Sequence, residues 1–233
     1  MALCNPDTAC EMCGDLFEPD WWKSRGDIVG EATGRGAVLF VRRERETWAL
    51  RHFRRGGWMA RLSPDQYLWL GLERTRMWRE WRMLAELLRR GLPVPRPIAA
   101  RVMRQGLTYT GDLITRLIEG TQTLANVIVH SALAESEWRS VGALVARFQN
   151  HGVRHDDINV RNVLRDQSGG LSLIDFDKAR FTEPGAWQLQ NLARFRRSLE
   201  KLHRHHPGLH FHPRDWLNLL EGYDATISSG APP

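Results

Sequence analysis

The sequence predicts an α+β fold of two lobes, an antiparallel N-terminal sheet carrying one helix followed by a mainly helical second lobe. Three observations point there. Residues 28–118 alternate β-type runs with glycine-rich and charged turns around a single amphipathic helix. Beyond Glu119-Gly120, apolar residues recur at helical spacing. Between those helices, a polar stretch from His155 to Asp177 is split by two short strand-like runs. At 233 residues the chain fits one domain of two unequal lobes. The expected boundaries are a flexible leader over 1–27, a first lobe over 28–118 and a second over 119–233.

The elements follow in order. Residues 1–24 read as a loosely ordered leader, with Trp21-Trp22 able to dock it. Ile28-Val29, Ala37 to Val41 and Trp48 to Phe53 read as strands of a meander, separated by Gly34-Arg35-Gly36 and the charged turn Arg42 to Glu46. A basic, aromatic connector fills 54–72. A helix is predicted over 73–90, with Met77, Trp81, Leu84 and Leu88 on one face and Gly91 as its stop. Leu92 to Pro97 must be extended, because a residue before proline avoids the helical region. Strands at 98–103 and 107–118 complete a sheet of about five, and Glu119-Gly120 reads as a hinge. A helix over 137–150 buries Trp138, Val141, Leu144, Val145 and Phe148. Short strands follow at 162–165 and 171–175, then helices at 186–204 and 213–222.

Composition sets outer limits. Apolar residues at 42% and charged residues at 26% exclude a disordered chain, and no run approaches the roughly 18 apolar residues of a spanning helix. The start lacks a secretory pattern. Cys4, Cys10 and Cys13 include one C-x-x-C, but there is no second pair to complete a zinc site. The net charge is +6, and only Lys23, Lys178 and Lys201 among the 33 basic residues are lysine. With ten Trp, an arginine-rich surface suits anionic partners, although a coding bias toward arginine gives the same count.

The chemistry concentrates in His155-Asp156-Asp157-Ile158-Asn159-Val160-Arg161-Asn162 and Leu173-Ile174-Asp175-Phe176-Asp177. Asn162 and Asp175 are hard oxygen ligands suited to a divalent cation, which leaves Asp157 to accept a proton from a hydroxyl. That combination is what phosphoryl transfer needs. Here the sequence resembles the protein-kinase-like phosphotransferases, whose catalytic loop reads H-x-D-x-x-x-x-N and precedes a D-F-G-type metal ligand. His155, Asp157 and Asn162 match the first pattern, and Asp175-Phe176 the second. The resemblance implies a protein-kinase-like two-lobed fold with a shortened helical C-terminal lobe, and ATP and Mg²⁺ as cofactors. Upstream, Gly34 and Gly36 occupy the phosphate-covering loop, and Trp48-Ala49-Leu50-Arg51 stands where V-A-I-K is expected. No lysine lies between Lys23 and Lys178, so an arginine fills the phosphate-pairing role or nothing does, and the resemblance implies Arg51 for it. Glu80 is its expected ion-pair partner, with Glu73 as the fallback. Asp177 replaces the motif glycine, no A-P-E segment follows, and 58 residues remain after Asp175. Those departures favour a small or lipid-linked acceptor over a protein.

Longer strings are similar to the 3-deoxy-D-manno-octulosonic acid (Kdo) kinases of lipopolysaccharide assembly: Thr33 to Gly36, Leu50 to Gly57, Gly71 to Arg76, Gly91 to Pro97, Ala99 to Val102 and Leu173 to Lys178. That resemblance implies transfer of the ATP γ-phosphate to the 4-OH of Kdo on a lipid A precursor. It also implies a peripheral location on the cytoplasmic face of the inner membrane. The expected partners are a Kdo-containing lipid A precursor and an anionic membrane surface, with no nucleic acid and no obligate protein partner. Arg54, Arg55, Arg61, Arg74 and Arg76, interleaved with Trp58, Met59, Tyr67, Leu68 and Trp69, suit such a glycolipid. The rival readings are an aminoglycoside-type or other small-molecule phosphotransferase, a non-catalytic nucleic-acid-binding kinase-like protein, and a lipid-surface scaffold. Five histidines between Leu202 and Pro213 have irregular spacing and no acidic partner nearby, so they read as surface.

Overall fold

A computed structural model describes residues 1–4, 14–32, 38–54 and 65–228. The chain divides into two compact units, Met1–Arg90 with Pro95–Glu119, and Gly91–Val94 with Gly120–Pro233.

The first unit is built on seven described strands: β1 (Ala2–Cys4), β2 (Ile28–Ala32), β3 (Val38–Arg43), β4 (Glu46–His52), β5 (Tyr67–Leu68), β6 (Pro97–Gln105) and β7 (Thr108–Arg116). Their order is β1-β6-β7-β4-β3-β2, every described pairing is antiparallel, and β5 pairs with the start of β7. The meander and the 98–118 hairpin are where the alternation of β-branched and polar residues puts them. The two additional strands are too short to carry a period-2 signal. The register sets Arg51 opposite Val38 on one side and Leu113 on the other.

For the described residues 1–4 and 14–24, the expectation of a loosely ordered leader is corrected. Ala2–Cys4 pairs with Ala99–Arg101, and Leu16, Phe17 and Trp22 are each no more than 2% exposed. They join Val41, Trp48, Leu50, Ile98, Ala99 and Ile114 in one core. Pro19 opens helix α1 (Pro19–Ser24), a position that needs no backbone N–H, and Trp22 Nε1–H donates to Leu16 O at 2.9 Å. Burying three such side chains contributes about 1.5–3 kcal/mol each, enough to fix this segment to the sheet.

Helix α2 (Arg76–Arg89) packs on β6 and β7. Its buried side chains are Met77, Trp78, Glu80, Met83, Leu84 and Leu87. The predicted stripe therefore holds at Met77 and Leu84, while Trp81 and Leu88 are only partly buried. The rotation carries Glu80 from the expected flank into the buried face.

The second unit contains β8 (Gln122–Thr123), α3 (Leu124–His130), α4 (Glu135–Asn150), β9 (Val153–His155), β10 (Val163–Arg165), β11 (Leu171–Leu173), β12 (Ala179–Phe181), α5 (Trp187–His205) and α6 (Pro213–Ser228). Helices α4 and α6 meet backbone to backbone. A Cβ on Gly142 would lie 1.9 Å from Leu219 O, and one on Gly222 would lie 2.0 Å from Arg139 O. The proline-rich segment docks on this unit, since Pro93 O accepts from Leu173 N–H at 3.0 Å. Strands β10 and β11 form a hairpin whose turn is closed by Asp166, which accepts from Ser168 and Gly170 N–H at 2.8 Å each. Strand β9 pairs with β12, setting His155 opposite Ala179. The five histidines of the 203–212 stretch are all exposed.

Candidate active site

The loop between β9 and β10 carries the candidate base. His155 is 1% exposed and orients that loop. Its Nδ1 accepts the Asp157 N–H at 3.3 Å, so the ring proton sits on Nε2, which donates to Ile174 O at 3.2 Å. Burial holds the imidazole pKa below its ordinary 6.5, which keeps the ring in this neutral form. One side chain thus ties the backbone of Asp157 to the strand that leads into Asp175.

The far side of Asp157 is equally constrained. Its carbonyl accepts from Asn159 Nδ2 at 2.7 Å and from Asn162 Nδ2 at 3.0 Å. Asn159 Oδ1 accepts Arg161 N–H at 2.9 Å, and Asn162 N–H donates to Asn159 O at 3.0 Å. Aspartates and asparagines close such turns because their short side chains bond to backbone two residues on. With the main chain satisfied, the partly exposed Asp157 carboxylate is available for proton transfer.

Asn162 and Asp175 are brought together through the backbone, since Ile174 N–H donates to Asn162 O at 2.9 Å. The Asn162 amide nitrogen is committed to Asp157 O, which leaves Oδ1 as the atom suited to a cation. Asp175 has φ +65°, an uncommon conformation for a residue with a Cβ, and such residues concentrate at functional sites. It is held there by Phe176, 1% exposed, whose ring lies 5.7 Å from Phe148 and 5.0 Å from His155. One carboxylate and one amide oxygen are a hard donor set that fits Mg²⁺, the remaining ligands being water and phosphate oxygens.

In the first unit, Arg51 forms an ion pair with Glu80, which is 3% exposed, and its guanidinium sits 4.4 Å over the Phe53 ring. Glu73, the alternative partner, instead pairs with Arg82 at an exposed position. Gly34 and Gly36 lie outside the described residues, as do Cys10, Cys13, Arg55, Trp58, Met59 and Arg61. A second charged cluster surrounds Asp112, 3% exposed. It accepts from Arg101 Nε at 2.9 Å and lies 2.7 Å from His52 Nδ1, while His52 Nε2 lies 3.3 Å from Asp65. The hydrogen bond to Asp112 raises the His52 pKa above 6.5 against the opposing effect of burial.

Several residues that shape the site were not singled out from sequence. Asn191 on α5 is 4% exposed and makes two bonds to the His155 backbone. Its Oδ1 accepts His155 N–H at 3.2 Å, and its Nδ2 donates to His155 O at 2.9 Å. On the same helix, Ser198 Oγ accepts Val160 N–H at 3.0 Å. The available signal is that Asn191 falls at i+4 from Trp187 and i−4 from Phe195, a polar residue on an apolar stripe. Asp156 is held between Arg154 and Arg180, and the register that pairs Arg154 with Arg180 is visible only in the folded chain.

Comparison with known proteins gives this geometry a family. A 3-deoxy-D-manno-octulosonic acid kinase of Vibrio parahaemolyticus serotype O3:K6 (strain RIMD 2210633) is 39% identical over 208 residues, 88% of this chain and 86% of that one. One from Xylella fastidiosa (strain 9a5c) is 40% identical over 216 residues, 92% and 86%. Among solved structures, WaaP in complex with acyl carrier protein superposes with a TM-score of 0.59 at 16% identity, covering 97% of this chain and 89% of that one. WbdD bound to a kinase inhibitor gives a TM-score of 0.50 at 15% identity, over 86% and 45%. These two share the two-lobed kinase-like fold. The WaaP complex also overturns the expectation of no obligate protein partner, because a protein of this fold was solved with one. Residues 19–223 match the family described as lipopolysaccharide kinase (Kdo/WaaP), and the chain belongs to that family.

Proposed function

We propose that the chain is an ATP-dependent kinase that phosphorylates a hydroxyl of Kdo during lipopolysaccharide biosynthesis, the 4-OH of Kdo on a lipid A precursor. The observation that carries this reading is the fixed set Asp157, Asn162 and Asp175 in a chain that shares about two-fifths of its aligned residues with Kdo kinases. Asp157 accepts the proton of the acceptor hydroxyl. Asn162 Oδ1 and the Asp175 carboxylate hold the cation. Arg51, oriented by Glu80, steadies the nucleotide phosphates as a fixed planar cation. Bound Mg²⁺–ATP supplies the γ-phosphoryl group and offsets the charge on its oxygens.

We also propose a peripheral position on the cytoplasmic face of the inner membrane. Among the described residues no helix is long and apolar enough to cross a membrane. An exposed apolar patch on the first unit supports surface attachment. Leu68 and Leu70 are each 59% exposed and Leu107 is 77% exposed. They are joined through Trp69 N–H, which donates to Leu107 O at 2.9 Å, and Arg104 lies 5.1 Å over the Trp69 ring. Leucines beside a tryptophan and an arginine suit the boundary between headgroups and acyl chains.

Incubation with labelled ATP and a Kdo-bearing lipid A precursor, followed by thin-layer separation, tests the activity. Label should appear in a phosphorylated Kdo product. Label transferred only to aminoglycosides or simple alcohols would replace this reading with the small-molecule one.

A further inference from the structure

Beside the proposed catalytic loop, the second unit contains a half-open surface cavity of about 230 Å³ lined by Arg154, Asp156, Gln190, Asn191, Arg194 and Arg197. A water occupies about 30 Å³ of liquid, so the space admits a group several waters in size. Its charge is unbalanced. Asp156, the one acid in the lining, is already engaged at Oδ1 by Arg154 Nε at 2.7 Å and at Oδ2 by Arg180. The exposed side chains of Arg194 and Arg197 make no hydrogen bond or ion pair with any described residue. They stand at i and i+3 on α5, where like charges repel, so an anion between them relieves a repulsion as well as forming new bonds.

We propose that this cavity is an oxyanion subsite, taking a phosphate or carboxylate group through the guanidinium forks of Arg194 and Arg197, with Arg154 at its edge. The subsite is held in fixed relation to the base. Asn191, one turn before Arg194, makes two hydrogen bonds to the backbone of His155, and Ser198, one turn after it, bonds Val160 N–H. These contacts fall on either side of Asp157. A group captured here is therefore positioned by the helix that fixes the loop carrying Asp157. On the Kdo kinase reading, on which this assignment of the source rests, the oxyanion is a phosphate or carboxylate of the lipid-linked acceptor. The same chemistry would also accept free phosphate.

The test uses the full-length protein and Arg194→Gln/Arg197→Gln, in which Gln keeps the helix propensity. Inorganic phosphate is the first probe. It should raise the melting temperature of the wild type in a saturable manner and leave that of the variant unchanged, a result that does not depend on turnover. With Kdo-bearing lipid A precursor, the variant should show an acceptor KM raised at least about tenfold, the loss expected for charge-assisted hydrogen bonds, with the KM for ATP unchanged. A dephosphorylated precursor and a carboxyl-esterified one identify the group, because the variant's penalty vanishes with whichever acceptor lacks it. Phosphate-dependent melting with an unchanged acceptor KM would assign the site to free phosphate. No phosphate effect on wild-type melting together with an unchanged acceptor KM would overturn the subsite. A wild type that shows the phosphate effect but no Kdo phosphorylation would keep the subsite and refute the kinase reading.

Discussion

Replacing Asn191 by Leu tests how the proposed catalytic loop is held. Leu keeps the branching of Asn and is the larger side chain, so no cavity is created, but both bonds to His155 are lost. The two losses are unequal. His155 O keeps the Ile158 N–H at 3.1 Å, so removing the Asn191 donor costs about 1 kcal/mol. His155 N–H loses its acceptor at a buried position, and an orphaned donor costs about 1–3 kcal/mol. The sum, about 2–4 kcal/mol, lowers the melting temperature of a domain this size by about 4–16 °C. Because His155 also accepts from Asp157 N–H, the proposed base should shift as well. A misplacement near 1 Å costs up to about a hundredfold, so kcat should fall at least about tenfold while the KM for ATP stays put. Thermal melts and steady-state kinetics on the same preparation decide it. A variant that melts within 1 °C of wild type, with normal kcat, would refute the claim that α5 positions the loop.

Three further outcomes follow from other contacts. Gly142→Ala should destabilise by about 1–3 kcal/mol or more in urea unfolding, because the added methyl meets the Leu219 carbonyl, which a side-chain rotation cannot relieve. His52 has its pKa raised in the folded protein, so its contribution is fully present below pH 6.5 and is lost as pH rises through the folded value. The urea midpoint of wild type minus that of His52→Gln should therefore shrink between pH 6 and pH 8. The difference isolates His52 from His155, whose lowered pKa acts in the opposite sense and destabilises on acidification below 6.5. Finally, Leu68→Ser/Leu70→Ser/Leu107→Ser should cut sedimentation with anionic lipid vesicles at least about tenfold, with the melting temperature little changed because these side chains are exposed.

The sequence made the site more legible than its support. The spacing of His155, Asp157, Asn162 and Asp175 named the loop because each residue acts on neighbours close in sequence, a range that a motif encodes. The Arg51–Glu80 pair was reachable because both elements had strong periodicity, although the buried face of α2 proved rotated toward Leu87. What stayed hidden depends on distant partners. Leu16, Phe17 and Trp22 sit among polar residues and read as leader, and their burial is decided by Ile98 and Ile114 some eighty to a hundred residues away. Asn191 and Arg180 gain their roles only when α5 and β12 are laid beside β9. Exposed leucines and an arginine-lined cavity likewise have no local signature, since each is a property of surfaces assembled from separate segments.

The central claim is that Asp157 is the base for phosphoryl transfer to Kdo. It is tested most directly by measuring labelled phosphate transferred from ATP to a Kdo-bearing lipid A precursor, with wild type and Asp157→Ala side by side. The account predicts a rate lowered by about 10²–10⁴, with ATP affinity and melting temperature preserved. Turnover by Asp157→Ala at the wild-type rate would contradict it.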